Sequence, residues 1–473
     1  MNIDIKTKTQ IILFFIILLL FSCVSSPPKA FLLENANKIP EADFYCLPAS
    51  VKILQNQIPT SGFSKHIEIH SAIREAESRQ ILISGGKDGL KNVSAIFSWD
   101  TNEDVNENKE ALSFIDIELG LMGYSPVKKP GLPDPILPLR PFSIEKNKNR
   151  ILFLTSKVEA GAKPGIYKGN ITIDIETNRG KTETWSIPVS LQIYPVELPK
   201  TSYLKTIFYY YFDTVNEQRY YDGAWTDEMD QAMYLKALDF RFTVPPKIKW
   251  KENAKTGNWE SFDEQVELWL NKGVTTIEIP VSFNRKTSLE ELKQNHLPPL
   301  VLLEEHLIEK AWLDYCYIYY FDEPSLKNIK PIKAQLQTIR KSIPHFNIIY
   351  TYGVNRRGEK EFIDLIDVWM PNIHQYTEKF ALERQKQGDE LWIYTCIGNI
   401  HRSYPDNFRI DWYGASHRAL GHWLFTNNID GYLYWRIDRW ILNPWERAET
   451  FPWANGDGMM FYPNPDKKSL PLA

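Results

Sequence analysis

The sequence predicts two domains in series, an antiparallel β-sandwich followed by a (β/α)8 barrel. Three observations predict them. Between about His66 and Leu198, short runs of alternating apolar and polar residues are separated by Gly, Asn and Pro. From about Tyr203 the rhythm becomes apolar strand, then helical pattern, repeated. At the junction, "YPVELPK" sets Pro195 and Pro199 where a strand could not continue its ladder.

The sandwich is assigned to 46–199 and the barrel to 200–473. In the first part "QILISGG", "SAIFSWD", "FIDIELGLMGY", "RILFLTSKV", "GIYKGNITIDIET" and "TWSIPVSLQIYPVELP" carry the period of two, rich in β-branched residues. No cluster of acids or histidines stands out there, so it reads as an accessory or scaffold domain. In the second part the predicted strands are Leu204–Phe212, Arg241–Val244, Val274–Val281, Tyr317–Phe321, Ile348–Tyr352, Val368–Ile373, Leu391–Ile397 and Gly431–Ile437. Helical patterns lie between them. "TDEMDQAMYLKALDF" has acids in its first turn, "SFDEQVELWLNKG" ends on Lys and Gly, and "SLKNIKPIKAQLQTIRKSIP" and "DWYGASHRALGHWLFTNNI" follow the same logic. Eight strands alternating with helical or connecting sequence predict the barrel. A doubly wound open sheet is the alternative, but no Gly-rich phosphate loop follows any strand.

The 473 residues are 43% hydrophobic, enough to bury two cores, and the formal net charge of −4 gives no basic excess for nucleic acid. Of 15 Trp only Trp99 and Trp185 precede residue 200. Dense aromatics in the second half suit either a site that stacks sugar rings or a large aromatic core. The nine His show no HxH or HExxH pattern, and Cys46, Cys316 and Cys396 lack metal-ligand spacing. Cys316 and Cys396 lie in apolar runs and read as buried hydrophobes. No metal site and no cofactor is expected.

The N-terminus reads as a targeting segment. Lys6 and Lys8 precede an apolar run from Ile11 to Phe21, too short to span a bilayer. "LFSC" resembles a bacterial lipobox, which makes 1–22 a lipoprotein signal peptide, Cys23 the lipidated residue and 23–45 a tether. The expected location is the bacterial cell envelope, lipid-anchored, periplasmic or surface-exposed. A plain secretory signal with a chance Cys is the alternative.

The chemistry is expected at "CYIYYFDEPS", where an apolar strand runs into Asp322, Glu323 and Pro324. Three other Asp-Glu pairs exist. Asp227-Glu228 and Asp263-Glu264 fall in early helix turns, and Asp389-Glu390 precedes a strand at the opposite mouth. Only Asp322 and Glu323 are delivered by a strand to the C-terminal face, where barrels do their chemistry. Neighbouring strand residues point to opposite faces, so both acids reach one ligand only if the strand ends or bulges between them. Pro324, which cannot donate to the ladder, favours that departure.

The ordered set "YYFDEP", "IDVWMP", "DGYLYW" and "NGDGMMFYP" resembles the catalytic domain of glycoside hydrolase family 123, exo-acting β-N-acetylgalactosaminidases, and the preceding β-domain resembles that family's N-terminal sandwich. The resemblance covers roughly residues 66 to 465. It implies substrate assistance, in which the 2-acetamido oxygen of the sugar is the nucleophile. Glu323 is then the general acid and later the base for water, and Asp322 orients the acetamido N–H and steadies an oxazolinium-like intermediate. One acid must arrive protonated and the other ionised, and two close carboxylates drive their titrations apart.

Other strand ends supply expected substrate contacts: Trp369 and Asn372 after the sixth strand, Tyr394 in the seventh, Trp435 on the last as a sugar-stacking ring, and Asn455 and Asp457 in the "NGDG" loop, which also reads as a tight turn. His374 and His401 read as polar rim residues. Members of the family continue past "YP" into an arginine-bearing helix, whereas here "YPNPDKKSLPLA" follows. The expectation is a barrel without its last helix: either an apolar seam is exposed, costing roughly 25 cal/mol per Å² and lowering stability so that activity is in doubt, or a rearranged tail covers the gap. The expected partner is a glycan or glycolipid ending in an N-acetylhexosamine. The alternatives are a non-catalytic glycan-binding lipoprotein of the same fold, and a glycosidase of other specificity with Asp213 or Asp438 as second carboxylate.

Overall fold

The computed structural model describes residues 42–100, 109–125, 132–211, 220–246, 248–352, 359–396, 408–440, 443–451 and 454–472. Cys23, Asp213 and His401 lie outside them.

The first part holds two five-stranded sheets. One is built from β1 (Asp43–Pro48), β3 (Ala76–Ser84), β5 (Ile115–Ser125), β6 (Leu132–Pro138) and β8 (Asn149–Val158). The other contains β2 (Ile67–Ile73), β4 (Leu90–Trp99), β7 (Phe142–Ile144), β9 (Gly165–Thr177) and β10 (Thr182–Glu197). Alternation sets the core directly: Ile171, Ile173 and Ile175 of β9 and Ile187, Val189 and Leu191 of β10 meet Ile81, Ile83, Leu152 and Leu154 of the facing sheet in one buried cluster. Two details differ from the sequence-based expectation. A strand forms already at Asp43, and β2 pairs with β10 in parallel, not antiparallel.

The second part is a curled parallel sheet of seven strands. They are β11 (Lys205–Phe208), β12 (Ile277–Glu278), β13 (Cys316–Ile318), β14 (Asn347–Tyr352), β15 (Val368–Pro371), β16 (Glu390–Thr395) and β17 (Gly431–Tyr434). Neighbours run β12 through β17 in order, and β11 then pairs with β17. The predicted strand Arg241–Val244 does not form. Arg241 sits at φ 61°, outside the extended region. This segment nonetheless bridges β11 and the start of β12: the Phe208 N–H donates to the Thr243 carbonyl at 2.8 Å, and Thr206, Thr243 and Thr275 link their hydroxyls in a buried triad.

The sheet has two apolar faces. Ile207, Tyr317, Ile349, Val368, Met370, Trp392, Tyr394 and Leu433 form the inner cluster. The outer face meets helices, among them α1 (Asp227–Asp239), α2 (Lys251–Thr256), α3 (Glu260–Lys272), α4 (Leu297–Glu309), α5 (Leu326–Ser342), α6 (Glu378–Lys386) and α7 (Gly414–Thr426). Thr226 caps α1 by accepting from the Met229 N–H, and Gly273 ends α3 in the left-handed region at φ 99°.

Among the described residues no helix follows β17. Of the two alternatives for the seam, the structure shows the covered one: the tail packs on the outer face there. Phe461, 2% exposed, packs edge-on to Phe240 and against Phe242, and Phe242 stacks on Phe208 of β11 at 4.2 Å. Trp440 Nε1–H donates to the Phe461 carbonyl at 2.7 Å, Tyr221 O–H to that of Ser469 at 3.0 Å, and Lys236 Nζ to that of Pro471 at 2.5 Å. Phe461→Ala is therefore expected to cost about 3–5 kcal/mol of unfolding free energy, read from a denaturant midpoint. A loss below about 1 kcal/mol would mean the tail adds little.

Candidate active site

Strand β13 ends at Ile318, before the acid pair. Tyr317 and Tyr319 belong to the inner face, Ile318 and Tyr320 to the outer. Strict alternation would turn Phe321 inward. Instead Phe321 packs outward, its ring centroid 5.8 Å from that of Tyr350 and 5.9 Å from that of Phe362. The alternation slips by one residue. Glu323 then takes φ 34°, a backbone region that side chains disfavour.

These two departures bring both acids to hydroxyls of the inner face. Asp322 Oδ1 accepts from Tyr319 O–H at 2.8 Å and from Thr351 Oγ1–H at 2.7 Å. Thr351 Oγ1 in turn accepts the Glu323 N–H at 3.3 Å. Glu323 Oε1 accepts from Tyr394 O–H of β16. Burial holds the Tyr394 and Tyr319 hydroxyls well above the usual phenol range, and the neighbouring carboxylates push the same way, so both stay protonated as donors.

A cavity of about 930 Å³ opens beside Asp322, lined by Tyr209, Tyr211, Glu278, Tyr319 and Trp250 among others. Its aromatic wall is a stack: Tyr211 on Tyr209 (5.7 Å, 28°) and Tyr209 on Tyr319 (6.2 Å, 22°). Deeper in, Glu278 of β12 accepts through Oε2 from Tyr209 O–H at 2.8 Å and from Tyr317 O–H at 3.4 Å. Protein surrounds Glu278 closely, and burial lifts its carboxyl above the ordinary range although the two phenols pull it down.

Comparison with known proteins bears on the segment that carries both acids. Residues 282–472, which carry both acids, match the family model described as glycoside hydrolase 123, catalytic domain. This segment belongs to glycoside hydrolase family 123. Among solved structures, a family 123 glycoside hydrolase from Clostridium perfringens, studied for glycolipid glycan hydrolysis, is similar over 91% of this chain and 84% of that one, at a TM-score of 0.63 and 19% identity. A Bacteroides uniformis β-glucuronidase covers 85% of this chain and 48% of that one at 14% identity, with a TM-score of only 0.32. Curated proteins gave no match.

The family 123 domain gathers some of the expected contacts and not others. Tyr394 reaches Glu323. Asn372 lies beside Tyr394 at the end of β15, but its amide is engaged by Cys396 Sγ and the His374 N–H. His374 is half-buried at that rim. Trp435 is half-buried just past β17. Trp369 is a correction: it is fully buried on the outer face, its Nε1–H donating to Asp389 Oδ2 at 2.8 Å and its ring edge-on to Phe380. No sugar can stack on it. Asn455 and Asp457 are also corrected, because both point into protein. Asn455 donates to Asp411 at 2.9 Å, and Asp457, 0% exposed, accepts from Tyr434 O–H and Trp435 Nε1–H. The "NGDG" loop is a tight turn: Gly456 and Gly458 sit at φ 76° and 80°, and a Cβ on Gly458 would come within 2.6 Å of the Trp435 ring. Asp438 is likewise committed, to Arg436 Nε–H and the Tyr211 N–H, and burial pushes its carboxyl up to about 6. Among the described residues, no group of three or more His, Cys, Asp or Glu could hold a metal ion.

Thr351, Tyr319, Tyr209, Tyr211 and Glu278 were not singled out from the sequence. "FYYYFD" at Phe208–Asp213 was the available signal, three tyrosines closing the first strand of the sheet. Thr351→Val keeps the shape and removes the hydroxyl shared by both acids. A hydrogen bond to a charged group is worth about 1.5–3 kcal/mol, so glycoside turnover is expected to fall at least about tenfold with an unchanged denaturant midpoint. Unaltered turnover would remove Thr351 from the site.

Proposed function

We propose that the chain is a retaining exo-glycoside hydrolase that releases terminal β-linked N-acetylgalactosamine by substrate-assisted catalysis. The observation that supports it most is the convergence of Asp322 and Glu323 on Thr351, each with one oxygen held by a tyrosine hydroxyl. Asp322 Oδ2 and Glu323 Oε2 take no hydrogen bond from the described residues. In this reading Asp322 Oδ2 accepts the acetamido N–H and turns the carbonyl oxygen toward C1. That oxygen attacks C1 as the glycosidic C–O bond breaks, and Glu323 gives its proton to the leaving oxygen. Asp322 steadies the positive oxazolinium. Glu323 then takes a proton from water, which opens the ring at C1. Two displacements at C1 retain the configuration.

The proposal extends to the setting of the site. Residues 241–244 stand between β11 and β12 and complete an eightfold barrel, and 46–199 form an accessory sandwich. Lipidation at Cys23 anchors the enzyme in a bacterial cell envelope, with glycans or glycolipids ending in N-acetylhexosamine as partners. No helix among the described residues is long and apolar enough to cross a membrane.

General acid catalysis supplies about 10²–10⁴-fold. Glu323→Gln should lower kcat on an alkyl glycoside by about that factor and recover in part on a nitrophenyl glycoside, whose leaving group needs little protonation. Nitrophenyl β-N-acetylgalactosaminide, β-N-acetylglucosaminide and β-galactoside are assayed side by side. Release of galactose alone would overturn substrate assistance, and release from none would leave a glycan-binding protein.

A further inference from the structure

We propose that Glu278 is a third carboxylate of the sugar site, one that accepts a hydroxyl of the terminal sugar at the floor of the cavity and so selects which sugar fits. This rests on the glycosidase reading of Asp322 and Glu323.

The geometry repeats itself three times. Tyr319 and Thr351 hold one oxygen of Asp322, Tyr394 holds one oxygen of Glu323, and Tyr209 and Tyr317 hold one oxygen of Glu278. A phenol donates once. With Tyr209, Tyr317, Tyr319 and Tyr394 all turned on carboxylates, those four hydroxyls have no proton left for a ligand. What the inner face presents is acceptors: Glu278 Oε1 and Asp322 Oδ2 take no hydrogen bond from the described residues, and both residues line the cavity. The matching ligand brings donors, as a sugar does with its hydroxyls and its acetamido N–H.

The vertical placement also fits one sugar. Tyr317 reaches Glu278 and Tyr319 reaches Asp322, and these two tyrosines lie two residues apart on the inner face, one in β13 and one just past its end. Two residues rise about 6.6 Å, on the scale of one pyranose ring. Asp322 therefore meets the ligand near the rim while Glu278 meets its far edge. A structural ion pair does not account for Glu278, since no Lys, Arg or His among the described residues pairs with it. Glu278 is half-buried and lines the cavity, and a carboxylate held there without a cation is better stabilised when its remaining lone pairs are used.

The test titrates N-acetylgalactosamine and its 3-, 4- and 6-deoxy analogues into the full chain and into Glu278→Gln by calorimetry, alongside nitrophenyl glycoside kinetics. Glu278→Gln is expected to weaken N-acetylgalactosamine at least about tenfold, the scale of a hydrogen bond to a charged group, and to raise KM more than it lowers kcat. One deoxy analogue should bind both proteins equally, which identifies the hydroxyl concerned. Unchanged affinity in Glu278→Gln, an equal loss for every analogue, or no monosaccharide binding by the wild type overturns the assignment. If the variant does not fold, the wild type decides alone: one analogue weaker by about tenfold supports it, and none weaker than about twofold overturns it. Wild-type hydrolysis with an unchanged kcat/KM in Glu278→Gln removes Glu278 and leaves the function standing. No hydrolysis of any glycoside removes the function, and the monosaccharide titration still judges Glu278.

Discussion

The Thr351 hydroxyl holds the two acids in one place. It donates to Asp322 and accepts from the backbone of Glu323, while Thr351 itself is buried on the inner face of β14. Neighbouring residues of a strand diverge, so two adjacent carboxylates serve one ligand only where the backbone is forced out of register. Here the outward turn of Phe321 and the positive φ of Glu323 do the forcing, and the hydroxyl on the next strand stabilises the result. Strain at Glu323, of order 1–3 kcal/mol, is offset by bonds that exist only in this conformation.

Charge on the inner face is managed by phenols. Each carboxylate has a tyrosine O–H on one oxygen, and burial keeps the Tyr319 and Tyr394 phenols protonated as donors. The result is a set of fixed acceptors with their other oxygens facing open space, prepared before any ligand arrives.

The sequence made the β-domain and the order of the parallel strands legible because period and punctuation are local properties. Among the four Asp-Glu pairs, position at the C-terminal end of a strand singled out Asp322 and Glu323, and the structure sets both against hydroxyls of the inner face. Parity was not legible. A parallel strand buried on both faces is apolar throughout, so nothing in "DVWMP" says whether Trp369 or its neighbours face inward, and Trp369 faces the helices. Arg241–Val244 has strand composition but no ladder, because a left-handed Arg241 breaks it. Asn455 and Asp457 look like ligand contacts by type, yet two positive-φ glycines bend the loop so that Asp457 grips Trp435. Glu278 stayed hidden because a single acid in a two-residue strand carries no pattern until the tyrosines of β11 and β13 meet it.

The first domain reaches the surroundings of Trp435 through a short relay. Lys52, enclosed enough that burial lowers its ammonium pKa, donates to the Ile410 carbonyl at 2.7 Å. Ile410 lies so close to Gly456 that a Cβ there would come within 2.5 Å of it, and Gly458 leaves the same narrow clearance for Trp435. Gly414, at the start of α7, comes equally near the Ser50 carbonyl. The sandwich thus acts as a buttress for the segment around Ile410 and the start of α7, and cutting the chain at the junction would strip that backing away.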